Sequence, residues 1–208
     1  MTARDLFRLG GASGILGGFL MLLDVLLHVF VQDTLEPASF AGLPHEVWHL
    51  PGVVGLPLAL VGLVAVYVGQ AREVGRAGLW GFGLLVFGMT VGAIYSSVFH
   101  GIFLPAIEEL QGGLFETLVE NTTAAQFYRG VVVQGLGLGL GAVLFGLATI
   151  RARMFGAAPG WLFIAAALLA AANQVFPPGQ LISRGLFAVA FVWFGLSLRR
   201  RWPLGVDA

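Results

Sequence analysis

The chain contains no cysteine and, among its basic residues, no lysine. Without cysteine there is no disulfide, no thiolate ligand, no iron–sulfur cluster and no cysteine nucleophile, so any metal must be held by nitrogen or oxygen. All eleven basic residues are arginine, which reads as genomic composition rather than chemistry. Charge is scarce: 11% of residues carry it, against about 25% in a soluble domain. Basic and acidic residues cancel to a net charge of zero, which leaves no case for nucleic-acid binding. The rest is apolar, with 58% hydrophobic residues and a mean hydropathy of +0.89. Little of the chain is left for a soluble domain. A single all-α integral membrane domain over residues 1–208 is expected.

A membrane span needs roughly 20 apolar residues. Six segments meet or approach that length: about 10–31, 51–70, 79–104, 130–150, 159–176 and 181–198. A six-helix transmembrane bundle follows, with Pro177-Pro178-Gly179 turning the fifth and sixth into a hairpin. Arg4 and Arg8 precede the first apolar run as in a signal peptide, but that run is long and carries Asp24 and His28. It is expected to be a retained helix. The arginines then set orientation. Arg4 and Arg8, Arg72 and Arg76, Arg151 and Arg153, and Arg199 to Arg201 alternate with acidic loops. Both termini should be cytoplasmic, in a bacterial inner or plasma membrane. Arg129 and Arg184 start the fourth and sixth helices on the outer side, where each suits an outer carboxylate or an anionic ligand group. The loop over 105–129 is extracytoplasmic on this reading, and Ile107 to Val119 fits an interfacial amphipathic helix.

The pairs of helices two–three and four–five echo each other. Arg72 and Arg151, and Trp80 and Trp161, recur at nearly the same offset. Glycine is abundant, at 31 residues. Gly10, Gly14 and Gly18 have small-xxx-small spacing, and Gly135, Gly137, Gly139 and Gly141 line helix four. These read as close-packing surfaces for membrane helices. A phosphate-loop reading fails, because no Lys-Ser/Thr follows and no strand precedes.

All four histidines fall at the predicted outer ends of helices, with Asp24 and Glu46 beside them. Ionisable groups at membrane depth are costly and mark functional sites. Asp24 and His28 are four apart and share a helix face. A carboxylate bonded to an imidazole improves it as a ligand or stabilises its protonated form in a relay. His45 and His49 are likewise i and i+4, a spacing that presents two imidazoles to one ion. Pro44 suits a helix start, and Pro51 predicts a kink or break near 49–52. His45 and His49 would then lie on a short interfacial helix. His100 is the natural third ligand, His28 a fourth, and Glu108 or Glu109 a substitute. Tyr95 and Ser96 are placed for hydrogen bonds behind the ligands. Gln134, Asn173 and Gln174, with Arg184, would line an outward cavity. The inner halves of the helices hold almost nothing polar, which argues against a channel or a transmembrane proton path.

His45-Glu46-Val47-Trp48-His49 matches HExxH and so resembles zinc metalloproteases of the zincin type, over five residues of 208. The resemblance implies His45 and His49 as zinc ligands and Glu46 as general base. Three functions are therefore expected in order. The first is a membrane-embedded metal-dependent enzyme, zinc hydrolase-type, acting on a lipid or other lipophilic substrate. The second is a redox protein holding haem between histidines, or copper or iron. The third is a non-catalytic subunit of a larger membrane complex, or a homo-oligomer, with the histidines as polar glue.

Overall fold

The computed structural model describes residues 2–27, 45–94, 135–172, 176 and 178–201; the side chains of 45–49 and 180 are outside that description. Among the described residues the protein is helical, with no strand. The helices are α1 (Ala3–Leu27), α2 (His45–Gln70), α3 (Gly75–Ile94), α4 (Gly141–Ala152), α5 (Ala158–Ala171) and α6 (Gly179–Arg201). Residues 135–140 precede α4 as wider π turns. Five of these segments are long and apolar enough to cross a membrane, namely α1, Leu50–Gln70 of α2, α3, Gly135–Ala152 and Leu181–Arg201 of α6. The sixth, α5, is shorter and also apolar. These lengths fit a multi-pass integral membrane protein.

α1 begins at Ala3, well before the expected start near residue 10. A reciprocal cap holds its first turn. The Thr2 backbone N–H donates to Asp5 Oδ2 at 2.8 Å, and the Asp5 N–H donates to Thr2 Oγ1 at 3.2 Å. Two otherwise unpaired N–H groups are thereby satisfied. The expected start followed the apolar run, whereas the cap extends the helix through Arg4 and Arg8.

α2 shows no break near 49–52. It runs unbroken from His45 to Gln70 with Pro51 and Pro57 inside it. Each proline removes one backbone hydrogen bond, which locally favours a break. Here α1 lies directly against the interrupted stretch: a Cβ on Gly55 would stand 3.0 Å from the Gly17 carbonyl oxygen. Packing on a neighbouring helix overrides the local preference, as membrane bundles allow for interior proline.

Each helix packs on the next in chain order, α6 closes on α1, and α2 also meets α6. α1 is the most embraced. One of its faces admits α2 so closely that a Cβ on Gly62 would stand 2.7 Å from Gly14 Cα. Its other face admits α6, where a Cβ on Gly18 would stand 2.6 Å from the Ala188 carbonyl oxygen. Lipid tails are as apolar as leucine, so such backbone approach, rather than a hydrophobic drive, holds membrane helices together. On the other side of the bundle α4, α5 and α6 meet through rings. Phe163 stacks edgewise or tilted on Phe145, Phe187, Phe191 and Phe194, with centroids 5.1–5.8 Å away. Large apolar residues point outward instead, among them Leu16, Phe19, Leu168 and Trp193. Small residues at the helix seams, with large apolar side chains also facing outward, is an arrangement a lipid environment permits.

The two ends of the bundle differ. Gln70 meets Thr149, Arg201 reaches Met154, and Gly11 abuts Arg199. These contacts gather the α2–α3 turn, the α4–α5 turn, the start of α1 and the end of α6 at one basic end. Asp24, the start of α2 and the start of α6 lie at the other.

Candidate functional site

The site is built where α1 ends and α2 begins. Asp24 is only 9% exposed. Its carboxylate lies over Gly52: a Cβ there would stand 2.8 Å from Oδ1 and 3.2 Å from Oδ2. Only a residue without a side chain leaves that space to the carboxylate. Gly52 stands three residues after His49 and seven after His45, so by the 3.6-residue period all three positions fall on one side of α2. His49 is about 4.5 Å of helical rise from Gly52. The helix is continuous across His45-Glu46-Val47-Trp48-His49, so both histidine positions lie on one helix.

The structure thus brings Asp24 to the turn of α2 that follows His49. The side chains of His45, Glu46 and His49 lie outside the described residues, as do His28, Tyr95, Ser96, His100, Glu108, Glu109, Gln134, Asn173 and Gln174 altogether. The loop over 105–129, with its expected interfacial helix, and Arg129 also lie outside. Arg184 is exposed at the start of α6, beside the buried Ser183. Among the described residues no three His, Asp or Glu side chains converge.

Two features go beyond what hydropathy and spacing predict. The inner part of the bundle is not wholly without polar groups: Gln70 Nε2 donates to Thr149 Oγ1 at 2.9 Å, and both residues are fully buried. Gln70 Oε1 has no partner among the described residues. The chain does carry a signal for this pair, since Gln70 and Thr149 each stand two residues before Arg72 and Arg151 and share their spacing. The other feature is the π stretch over 135–140, directly after Gln134. Wide turns of this kind recur at functional sites, whereas the alternating glycines of 135–141 signal only a packing surface.

No family model, curated protein or solved structure matches this chain. The chemistry therefore rests on the residues themselves.

Proposed function

We propose that the protein is a membrane-embedded metal-dependent enzyme whose ion is held by His45 and His49 at the end opposite the basic one, with His100 or His28 completing the ligand set. The observation that carries this reading is the buried Asp24 carboxylate seated on Gly52, one turn along α2 from His49. A buried carboxylate that bonded an imidazole of this pair would fix its tautomer and raise its basicity as a ligand. The close approach of α1 and α2 beside Asp24 supports a compact ion there. Nitrogen ligands at i and i+4 suit zinc.

When bound, such an ion supplies Lewis acidity and a water whose pKa falls to about 7. Glu46 would be the general base of such a site, taking a proton from an attacking water and returning one to the leaving oxygen or nitrogen of an ester or amide. Asp24 orients an imidazole and takes no part in the bond changes. A bundle with so little mass outside its spans draws its substrate from the lipid phase, so a lipid or other lipophilic ester or amide is the fitting class. Glu46→Gln is expected to keep the metal and lose hydrolysis of a lipophilic ester by at least about a hundredfold, the scale of general-base catalysis. Loss of metal in that variant would assign Glu46 to the ligands instead.

Two points of architecture belong to the same reading. The basic end faces the cytoplasm with both termini, by the positive-inside rule, and the metal site faces outward. The pairs α2–α3 and α4–α5 are a duplicated unit. Supporting this, each pair turns on a glycine of positive φ, Gly75 at +59° and Gly156 at +77°. Each glycine follows a buried apolar residue, Val74 or Phe155, and precedes an exposed tryptophan by five residues, Trp80 or Trp161.

A further inference from the structure

We propose that the α4–α5 turn carries a binding site for the headgroup of an anionic phospholipid. An open surface depression of ≈ 620 Å³ lies at this turn, lined by Ile150, Arg151, Arg153, Gly156 and Ala157. Its shape is set by the backbone. Arg153 takes φ +54°, and its N–H closes α4 on the Thr149 carbonyl at 3.1 Å. The chain then reverses at Gly156. Both arginines border the opening, Arg151 exposed and Arg153 exposed beside the half-buried Ala152. Two arginines lining one depression can bring forked guanidinium donors to phosphate oxygens.

The surroundings select a lipid over a free anion. The Trp161 backbone N–H donates to the Ala157 carbonyl at 3.1 Å, so Trp161 stands one helical turn above the rim of the depression. It is 57% exposed, an indole at the level where tryptophan anchors proteins to the membrane interface. Leu168, seven residues further along the same face of α5, is exposed as well. Cationic rim, indole and Leu168 follow the order of phosphate, glycerol and acyl chain. The whole end is complementary in charge: nine arginines gather there, and its described carboxylates are Asp5, engaged by Thr2, and Glu73. Basic pockets between membrane helices recognise acidic headgroups in this way. The proposal requires the bundle to lie in a bilayer, and it is independent of the metal site.

The test is native mass spectrometry of the full chain in neutral detergent, titrated with phosphatidylglycerol, phosphatidylcholine or inorganic phosphate. Phosphatidylglycerol is expected to bind in preference to both others. Arg151→Gln/Arg153→Gln should weaken it roughly thirtyfold. Arg199→Gln/Arg200→Gln removes equal charge from the same end and should change it less than about threefold. Equal weakening by both pairs would reduce the effect to surface charge and overturn the proposal. So would phosphatidylcholine or inorganic phosphate binding as well as phosphatidylglycerol. A second readout does not depend on the arginine variants folding. Brominated phosphatidylglycerol should quench tryptophan fluorescence more than brominated phosphatidylcholine does, and Trp161→Phe should abolish the difference. Persistence of the full difference in Trp161→Phe would also overturn it.

Discussion

Asp24 of α1 and Gly52 of α2 are interlocked: the carboxylate occupies the space in which a side chain at 52 would begin, with Oδ1 2.8 Å from that position. A substitution at Gly52 therefore acts on Asp24 before it acts on the helix backbone. Asp24→Asn keeps the shape and removes the charge. Gly52→Ala keeps the charge and moves it. If Asp24 supports the imidazole ligands of α2, each variant should weaken metal binding by about 10–100-fold, measured by competition with a chromogenic chelator. Unchanged affinity in both would mean that Asp24 serves only helix packing.

A second prediction concerns the buried pair at the opposite end. Thr149→Val leaves both the amide N–H₂ and Oε1 of Gln70 buried without a partner, and should cost about 1–3 kcal/mol. Gln70→Leu/Thr149→Val replaces both partners by apolar groups of similar shape and should restore or exceed the stability of the unmodified chain. Unfolding in mixed micelles compares the three proteins. A double variant less stable than Thr149→Val would show that the pair is worth more than the apolar contacts that replace it.

Orientation yields a third prediction. The absence of cysteine lets single thiols be introduced without further change. Phe176→Cys, in the turn before α6, should react with a membrane-impermeant maleimide in intact cells. Ala157→Cys, at the basic end, should react only after lysis. The opposite pattern would invert the chain and place the histidines inside.

Much of this architecture is legible in the amino-acid sequence. Apolar runs of membrane length and arginines concentrated in alternate loops, Arg129 and Arg184 excepted, mark the helices and the two ends, because lipid tolerates few other solutions. Helix limits are less legible. The Thr2–Asp5 cap carries α1 beyond its apolar run, and the α1 contact carries α2 through Pro51. Each depends on a partner that hydropathy does not register. For the site, spacing alone joins His45 to His49, but nothing in the spacing tells that Asp24 meets α2 at Gly52. That contact comes from the glycine faces of α1 and α2, which set how near the two backbones come. Gln70 and Thr149 share the 79-residue offset of Arg72 and Arg151, but single polar residues at helix ends look like boundary markers until the fold pairs them.

Catalysis of the kind proposed depends on His45 and His49 holding a metal ion. The decisive experiment is elemental analysis, with a visible spectrum, of the full chain purified without chelator, for the unmodified protein and for His45→Ala/His49→Ala. Near-equimolar zinc and a colourless protein are expected, with the zinc lost in the double variant. A Soret band that disappears in the variant would replace the hydrolase with a haem protein. Well-folded protein with neither metal nor pigment would contradict the metal site outright and leave the histidines as polar contacts within a larger membrane assembly.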